Sequence, residues 1–453
     1  MAEMRAERAF VRFAALATAA LALVAADSAP TALAPEDLAL RTSLAGRQAE
    51  MEARLASWVG RNTGTWNAEG LAAFAALLAD ELRALDFEVA VEPGAPLDYP
   101  NRLDARTGPL VAASRKATVA PERARHILLL GHFDTVFEPD SPFQSWRLDP
   151  AEPGRASGPG SSDMKGGLVV MLEALRALRA SGDLARADVA VLLNSDEEIG
   201  SLGSRARVQS AARDAELALV FEPALEGGEQ ARSRAGAGQF HLDVQGVAAH
   251  VATSPIEGKS AVLALAKKVV AIEALSDPAR GILLNVGTIS GGTKRNIVPA
   301  HAEAWIDVRY DAAPQGDEVR AKLERIAAAP DVPGTRAELW GLLHRPPRPP
   351  TAESDRLLAL QQRIARELGY PAPEPVHSAG VTDGSLTAAE GVPTLDSLGV
   401  RGGGAHTDRE FVVLASLSER AAIAAVLLRQ LFRESAGLPA PSAKLESLAR
   451  LRR

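Results

Sequence analysis

Apolar residues return at three- and four-residue intervals through residues 35–87, where Leu71, Phe74, Leu77, Leu78 and Leu82 make one stripe; the pattern predicts helix. Three short apolar runs follow, at 126–131 (HILLLG), 188–194 (DVAVLLN) and 216–221 (ELALVF), the pattern of strands buried on both faces. Between the first two, residues 165–180 (KGGLVVMLEALRALRA) have helical spacing. Strands that alternate with helices imply parallel pairing and an α/β sheet covered on both sides.

The texture changes near residue 232. Residues 239–245 (QFHLDVQ) alternate apolar and polar, as a strand with one wet face does. An amphipathic helix over 260–275, strands at 282–289 and 301–309, a helix at 318–329 and a strand at 336–343 complete the order strand, helix, strand, strand, helix, strand. That order predicts a ferredoxin-like α+β unit with an antiparallel sheet. Residues 344–350 (HRPPRPP) read as a linker; a helix at 353–368 follows, and α/β texture returns. The predicted architecture is an α/β catalytic domain of residues 35–231 and 346–435 with a mixed, largely parallel sheet, interrupted by an inserted domain of residues 232–345, with a polar tail at 436–453.

Residues 1–34 read differently. Arg5, Arg8 and Arg12 precede a charge-free apolar stretch at 13–26, and A-x-A-like sites lie near Ala26 and Ala34. This is the pattern of a signal peptide, too short to anchor in a bilayer. It predicts a periplasmic or secreted protein, with an N-terminal extension of a cytoplasmic protein as the alternative.

Composition narrows the chemistry. The 453 residues, with 47% hydrophobic and 24% charged, suit a soluble protein of more than one domain. A formal net charge of -7 without basic runs is poor for nucleic-acid binding. Cysteine is absent, which removes disulfides, cysteine zinc sites, iron–sulfur clusters and a thiol nucleophile. Any metal must be held by His, Asp and Glu.

Those residue types gather where a parallel sheet binds ligands, beyond the carboxyl ends of its strands. The run at 126–131 leads into His132 and Asp134, the run at 188–194 into Glu197 and Glu198, and the run at 216–221 into Glu222. Asp163 sits between a Gly-rich turn and a helix, and His406 follows the Gly-rich loop at 402–404. Two histidines and several carboxylates without Cys describe an N/O metal site, with zinc the first candidate. Alternatives fail on the residues: no H-E-x-x-H or G-x-S-x-G occurs, and the phosphate-loop-like 287–294 has Thr before Lys and an extended segment after it.

The segments GHFDTV (131–136), GSSDMKGG (160–167), DEE (196–198) and AHTD (405–408) together resemble the motifs of the di-zinc metallopeptidases related to glutamate carboxypeptidase, a family that includes acetylornithine deacetylase, succinyl-diaminopimelate desuccinylase and peptidase T. The resemblance covers roughly residues 40–435 in order. It implies two zinc ions per chain, with cobalt or manganese as substitutes. His132 and Glu222 would bind one ion, Glu198 and His406 the other, and Asp163 both. Glu197 would be the general base and Asp134 would support His132. The inserted domain resembles the family's lid or dimerisation domain, which implies a homodimer. In it His250 matches a position that reaches the reaction centre, often from the partner subunit, although Val251 stands where relatives have a small residue. Asn296 (in KRNIVP) and Arg309 (in DVRY) match positions that hold a substrate carboxylate or polarise its carbonyl.

The implied activity is hydrolysis of an amide beside a free carboxylate in a small peptide or N-acyl amino acid. A carboxypeptidase releasing glutamate comes first, and an N-acyl-amino-acid deacylase or a dipeptidase second. From another class, a zinc-binding scaffold without activity has no use for Glu197, an acid that binds no metal.

Overall fold

The computed structural model describes residues 33–433 except 122, 123, 226 and 255. Residues 1–32 of the candidate signal segment and the tail at 436–453 lie outside the described residues. Among the described residues no helix is long and apolar enough to cross a membrane.

The helical stretch at 35–87 resolves into Pro35–Ala45, Gln48–Val59 and Ala68–Arg83. The third begins where the Asn67 side chain accepts from the Gly70 N–H, an N-cap. It buries Leu71, Phe74, Leu78 and Leu82, four residues of the apolar stripe.

A six-stranded sheet follows, in the order Glu88–Glu92, Leu110–Arg115, Asp188–Asn194, His126–His132, Leu217–Val220, Thr394–Leu395. His126–His132 lies between two parallel neighbours, so its carboxyl end and theirs open on one edge. Leu128 and Leu130 pack with Leu192, Val208, Ala212 and Leu386 in one core. Helices Lys165–Ala180 and Ser416–Arg433 pack on each other and are buried along almost their whole length. The sheet is mixed and largely parallel, as expected: Leu110–Arg115 pairs antiparallel with both its neighbours, and the remaining pairs are parallel. That sequence, LVAASR, carries neither strict alternation nor a long apolar run, so its strand was invisible in the pattern.

The segment 236–345 forms a second, four-stranded sheet, wholly antiparallel, in the order Ile282–Gly291, His301–Tyr310, Gly236–Gln245, Arg336–Arg345. Helices Ala261–Glu273 and Ala313–Ala328 cover one face, and Phe240, Leu242, Val244, Leu265, Ile306 and Leu323 share its core. On the other face Tyr99 stacks on Trp305 with ring centroids 5.6 Å apart. The Pro-rich 344–350 is not a free linker. The last strand runs through Arg345, and both Arg345 and Arg348 are buried.

Candidate active site

Close packing sets the site's geometry. Helix Lys165–Ala180 meets the end of Leu217–Val220 so tightly that a Cβ on Gly167 would lie 1.9 Å from the carbonyl oxygen of Phe221. The glycines of KGG therefore let the residues before the helix, Asp163 among them, sit beside Glu222.

His132 is buried, and its Nδ1 faces Asp134, 3.2 Å from the backbone carbonyl and 3.3 Å from Oδ1. A proton held there leaves Nε2 as the donor atom. Nε2 points at Asp163 Oδ1, 3.1 Å away, and at Glu222 Oε1, 3.6 Å away. His406, in a left-handed conformation with φ 64°, places its Nε2 3.3 Å from Asp163 Oδ2 and 3.1 Å from Glu198 Oε2. Two triads result, His132–Asp163–Glu222 and Asp163–Glu198–His406, each with candidate donor atoms within 4.8 Å of one another. Asp163 belongs to both and turns a different oxygen to each.

The donor set fits a pair of divalent cations. Nitrogen and carboxylate oxygen are zinc's ligands in the absence of thiolate. Burial, reinforced by the charge of Asp163, pushes the Glu198 and Glu222 carboxyls up to about 8. Hydrogen bonds to Asp163 and Glu198 raise His406 to about 11. Such crowded acids need positive charge, which protonated histidines supply in the metal-free chain and cations would supply in their place.

Asp134 does more than face His132. Its Oδ1 accepts from the Glu197 N–H and its Oδ2 from the Glu198 N–H, both at 3.2 Å, and Thr65 Oγ1 donates to it at 2.9 Å. One buried carboxylate thus fixes the turn that carries both acids. Glu197 lies beside the triads and belongs to neither. Burial pushes its carboxyl above the ordinary range, and Arg345 opposes that shift.

His250, Asn296 and Arg309 lie in the inserted segment, on or beside strands of 236–345. His250 and Asn296 are exposed neighbours: Ala249–His250 pairs with Ile297–Val298, and the Val251 N–H bonds the Asn296 carbonyl at 3.1 Å. Arg309 pairs with Asp307 on its own strand, at 2.8 and 3.0 Å. Among the described residues no hydrogen bond or ion pair joins these three to the two triads. A third candidate donor group, Asp243, His301 and Glu303, lies on the four-stranded sheet, where His301 already pairs with Asp243 at 2.6 Å.

Sequence reasoning missed three residues here. Arg345 was hidden in the apparent linker, yet its Nη2 donates to Glu197 Oε1 at 2.9 Å. Asp383 lies 2.9 Å from the same nitrogen. Glu410 accepts three backbone N–H groups around Asp163. Only Glu410 carried a signal, its place four residues after His406.

Known proteins with similar sequence and fold give the chain its family. The sequence profile of peptidase family M20/M25/M40 matches residues 128–430. Carboxypeptidase G2 of Pseudomonas sp. (strain RS-16) is 30% identical over 419 residues, 91% of this chain and 97% of its own length. Succinyl-diaminopimelate desuccinylase of Alkalilimnicola ehrlichii is 28% identical over 375 residues, 78% of this chain and 92% of its own. The crystal structure of an M20 family metallo-carboxypeptidase from Sulfolobus solfataricus shares the fold, with a TM-score of 0.68, 17% identity, and coverage of 85% of this chain and 99% of that one. The chain belongs to peptidase family M20/M25/M40 and is a hydrolase of the metallopeptidase and amidohydrolase kind.

Proposed function

We propose that this chain hydrolyses an amide bond next to a free carboxylate, as a glutamate-carboxypeptidase-like enzyme with two zinc ions. The observation that carries the reading is Asp163, whose two oxygens face His132 and His406 separately, with Glu197 alongside but outside both triads. His132 and Glu222 would hold one ion, Glu198 and His406 the other, and Asp163 both. When bound, the ions would polarise the amide carbonyl and make a water acidic. Glu197 takes the proton of that water and returns it to the leaving nitrogen. Arg345 occupies its Oε1, so Oε2 is the atom for this task. Asp134 keeps the His132 tautomer and the turn under Glu197 in place.

In this reading residues 232–345 are a lid and dimerisation domain. Its edge strand Ile282–Gly291 and the adjoining helix expose Leu283, Ile289, Val262, Leu263 and Val270, an apolar surface suited to a second copy. His250, exposed and without a hydrogen bond or ion pair to its own chain's triads, would then serve the partner's site, and Asn296 and Arg309 would receive the substrate carboxylate. The leader-like composition of residues 1–34 supports export of the mature chain.

The similarity to succinyl-diaminopimelate desuccinylase favours a second reading, deacylation of an N-acyl amino acid. A panel of dipeptides and N-acyl amino acids, each as free acid and amide, separates the two. Release of a C-terminal acidic residue from an acyl or peptidyl donor is expected. Turnover confined to short N-acyl chains would select deacylation, and turnover of amidated substrates alone would reject both.

A further inference from the structure

We infer that Arg345 is a positioning residue: from the end of the strand Arg336–Arg345 its guanidinium fixes the Glu197 carboxylate and so sets the direction from which Glu197 accepts a proton. The inference rests on the proposed role of Glu197 as that acceptor.

Arg345 is fully buried. Its Nη2 donates to Glu197 Oε1 at 2.9 Å and to Ser201 Oγ at 2.8 Å, and lies 2.9 Å from Asp383 Oδ1. Its Nη1 donates to the Gly200 carbonyl at 2.5 Å. One guanidinium therefore grips both the acid and the backbone of the turn that follows it. That turn bends through left-handed conformations at Gly200, φ 95°, and Ser201, φ 50°. A Cβ at Gly200 would stand 2.8 Å from His344 Cγ, so the strand end rests directly on the turn. Asp383 is itself held, by Asn194 at 2.7 Å and Ser201 at 2.6 Å.

Charge balance separates positioning from scaffolding. A buried guanidinium needs one counter-charge, and Asp383 provides it. Glu197 is a second carboxylate on the same nitrogen, one more than Arg345 needs. Glu197 gains the more from the pair: one oxygen is anchored by a charge-assisted bond and the other is left free in a fixed direction. Because the anchor comes from the last strand of the four-stranded sheet, the base is aligned only while that strand end is seated on the turn.

The test is a double-mutant cycle on the metal-loaded enzyme, using the best substrate of the acyl-amino-acid panel: wild type, Arg345→Gln, Glu197→Gln and the double variant. Arg345→Gln should lower kcat by about 10- to 100-fold with little change in KM and normal metal content. The double variant should be no slower than Glu197→Gln alone, since there is no base left to position. Arg345→Lys, which keeps the charge but not the forked geometry, should recover part of the loss and serves in the same cycle if Arg345→Gln does not fold. Additive losses, a change confined to KM, or normal turnover in folded protein would overturn the inference. Wild-type turnover by Glu197→Gln would instead remove the role of Glu197, whatever Arg345 does.

Discussion

The Glu410 carboxylate accepts the backbone N–H of Asp163 at 3.0 Å. It also accepts from Ser162 at 2.8 Å and Gly160 at 3.0 Å, so one buried acid ties down the approach to Asp163. Asp163 keeps both carboxylate oxygens for His132 and His406. Glu410→Gln puts an amide donor among three N–H groups. It should cut metal affinity by about 10- to 100-fold, the usual effect of losing a supporting contact behind a metal ligand. Competition against a chelator measures this; unchanged affinity would show that Glu410 does not support the site.

The two adjacent acids should separate by metal content. Glu198→Gln removes a donor facing His406 and should lower occupancy. Glu197→Gln removes none and should retain metal while slowing turnover by about 10²- to 10⁴-fold. Elemental analysis of both variants decides; equal metal loss would reverse the two roles.

Metal binding should release protons. Burial works against a charge on His132, but Glu222, Asp134 and Asp163 outweigh it and hold the ring well above the ordinary imidazole range. His406 stands at about 11, and Glu198 and Glu222 at about 8. In the metal-free chain at pH 7 these groups carry protons that an incoming cation must displace. Affinity should therefore rise with pH through neutrality, and calorimetry in buffers of different ionisation enthalpy should show net release. No release at pH 7 would contradict this description of the site.

Arg309→Ala should reduce kcat/KM by about 100-fold through loss of a charged hydrogen bond to the substrate carboxylate. Wild type should treat amidated substrates as poorly, and the variant should lose little more on them. Arg309 is already paired with Asp307, so the substrate must compete with that acid. Equal cleavage of free-acid and amidated substrates by wild type would remove the clamp.

The residues that cluster were legible in sequence because strand ends announce themselves: His132, Glu197, Glu198 and Glu222 each close an apolar run. The helix at Lys165–Ala180 and the strand at Asp188–Asn194 have the bounds that their patterns predict. Arg345 was not legible, because prolines around it suggested a linker while its burial depends on a turn some 145 residues earlier. Leu110–Arg115 was missed for a related reason: its strand exists through pairing with Asp188–Asn194, not through its own periodicity. His250 and Asn296 were chosen by resemblance alone; in their own chain they lie beside each other, with no hydrogen bond or ion pair to the triads among the described residues.

The central claim is a shared two-metal centre built on Asp163. Zinc titration of metal-free protein, with bound metal and turnover followed together, tests it most directly. The account predicts two ions per chain, activity that needs both, and loss of both from Asp163→Ala. Full activity with one ion, or activity that survives a strong chelator, would contradict it.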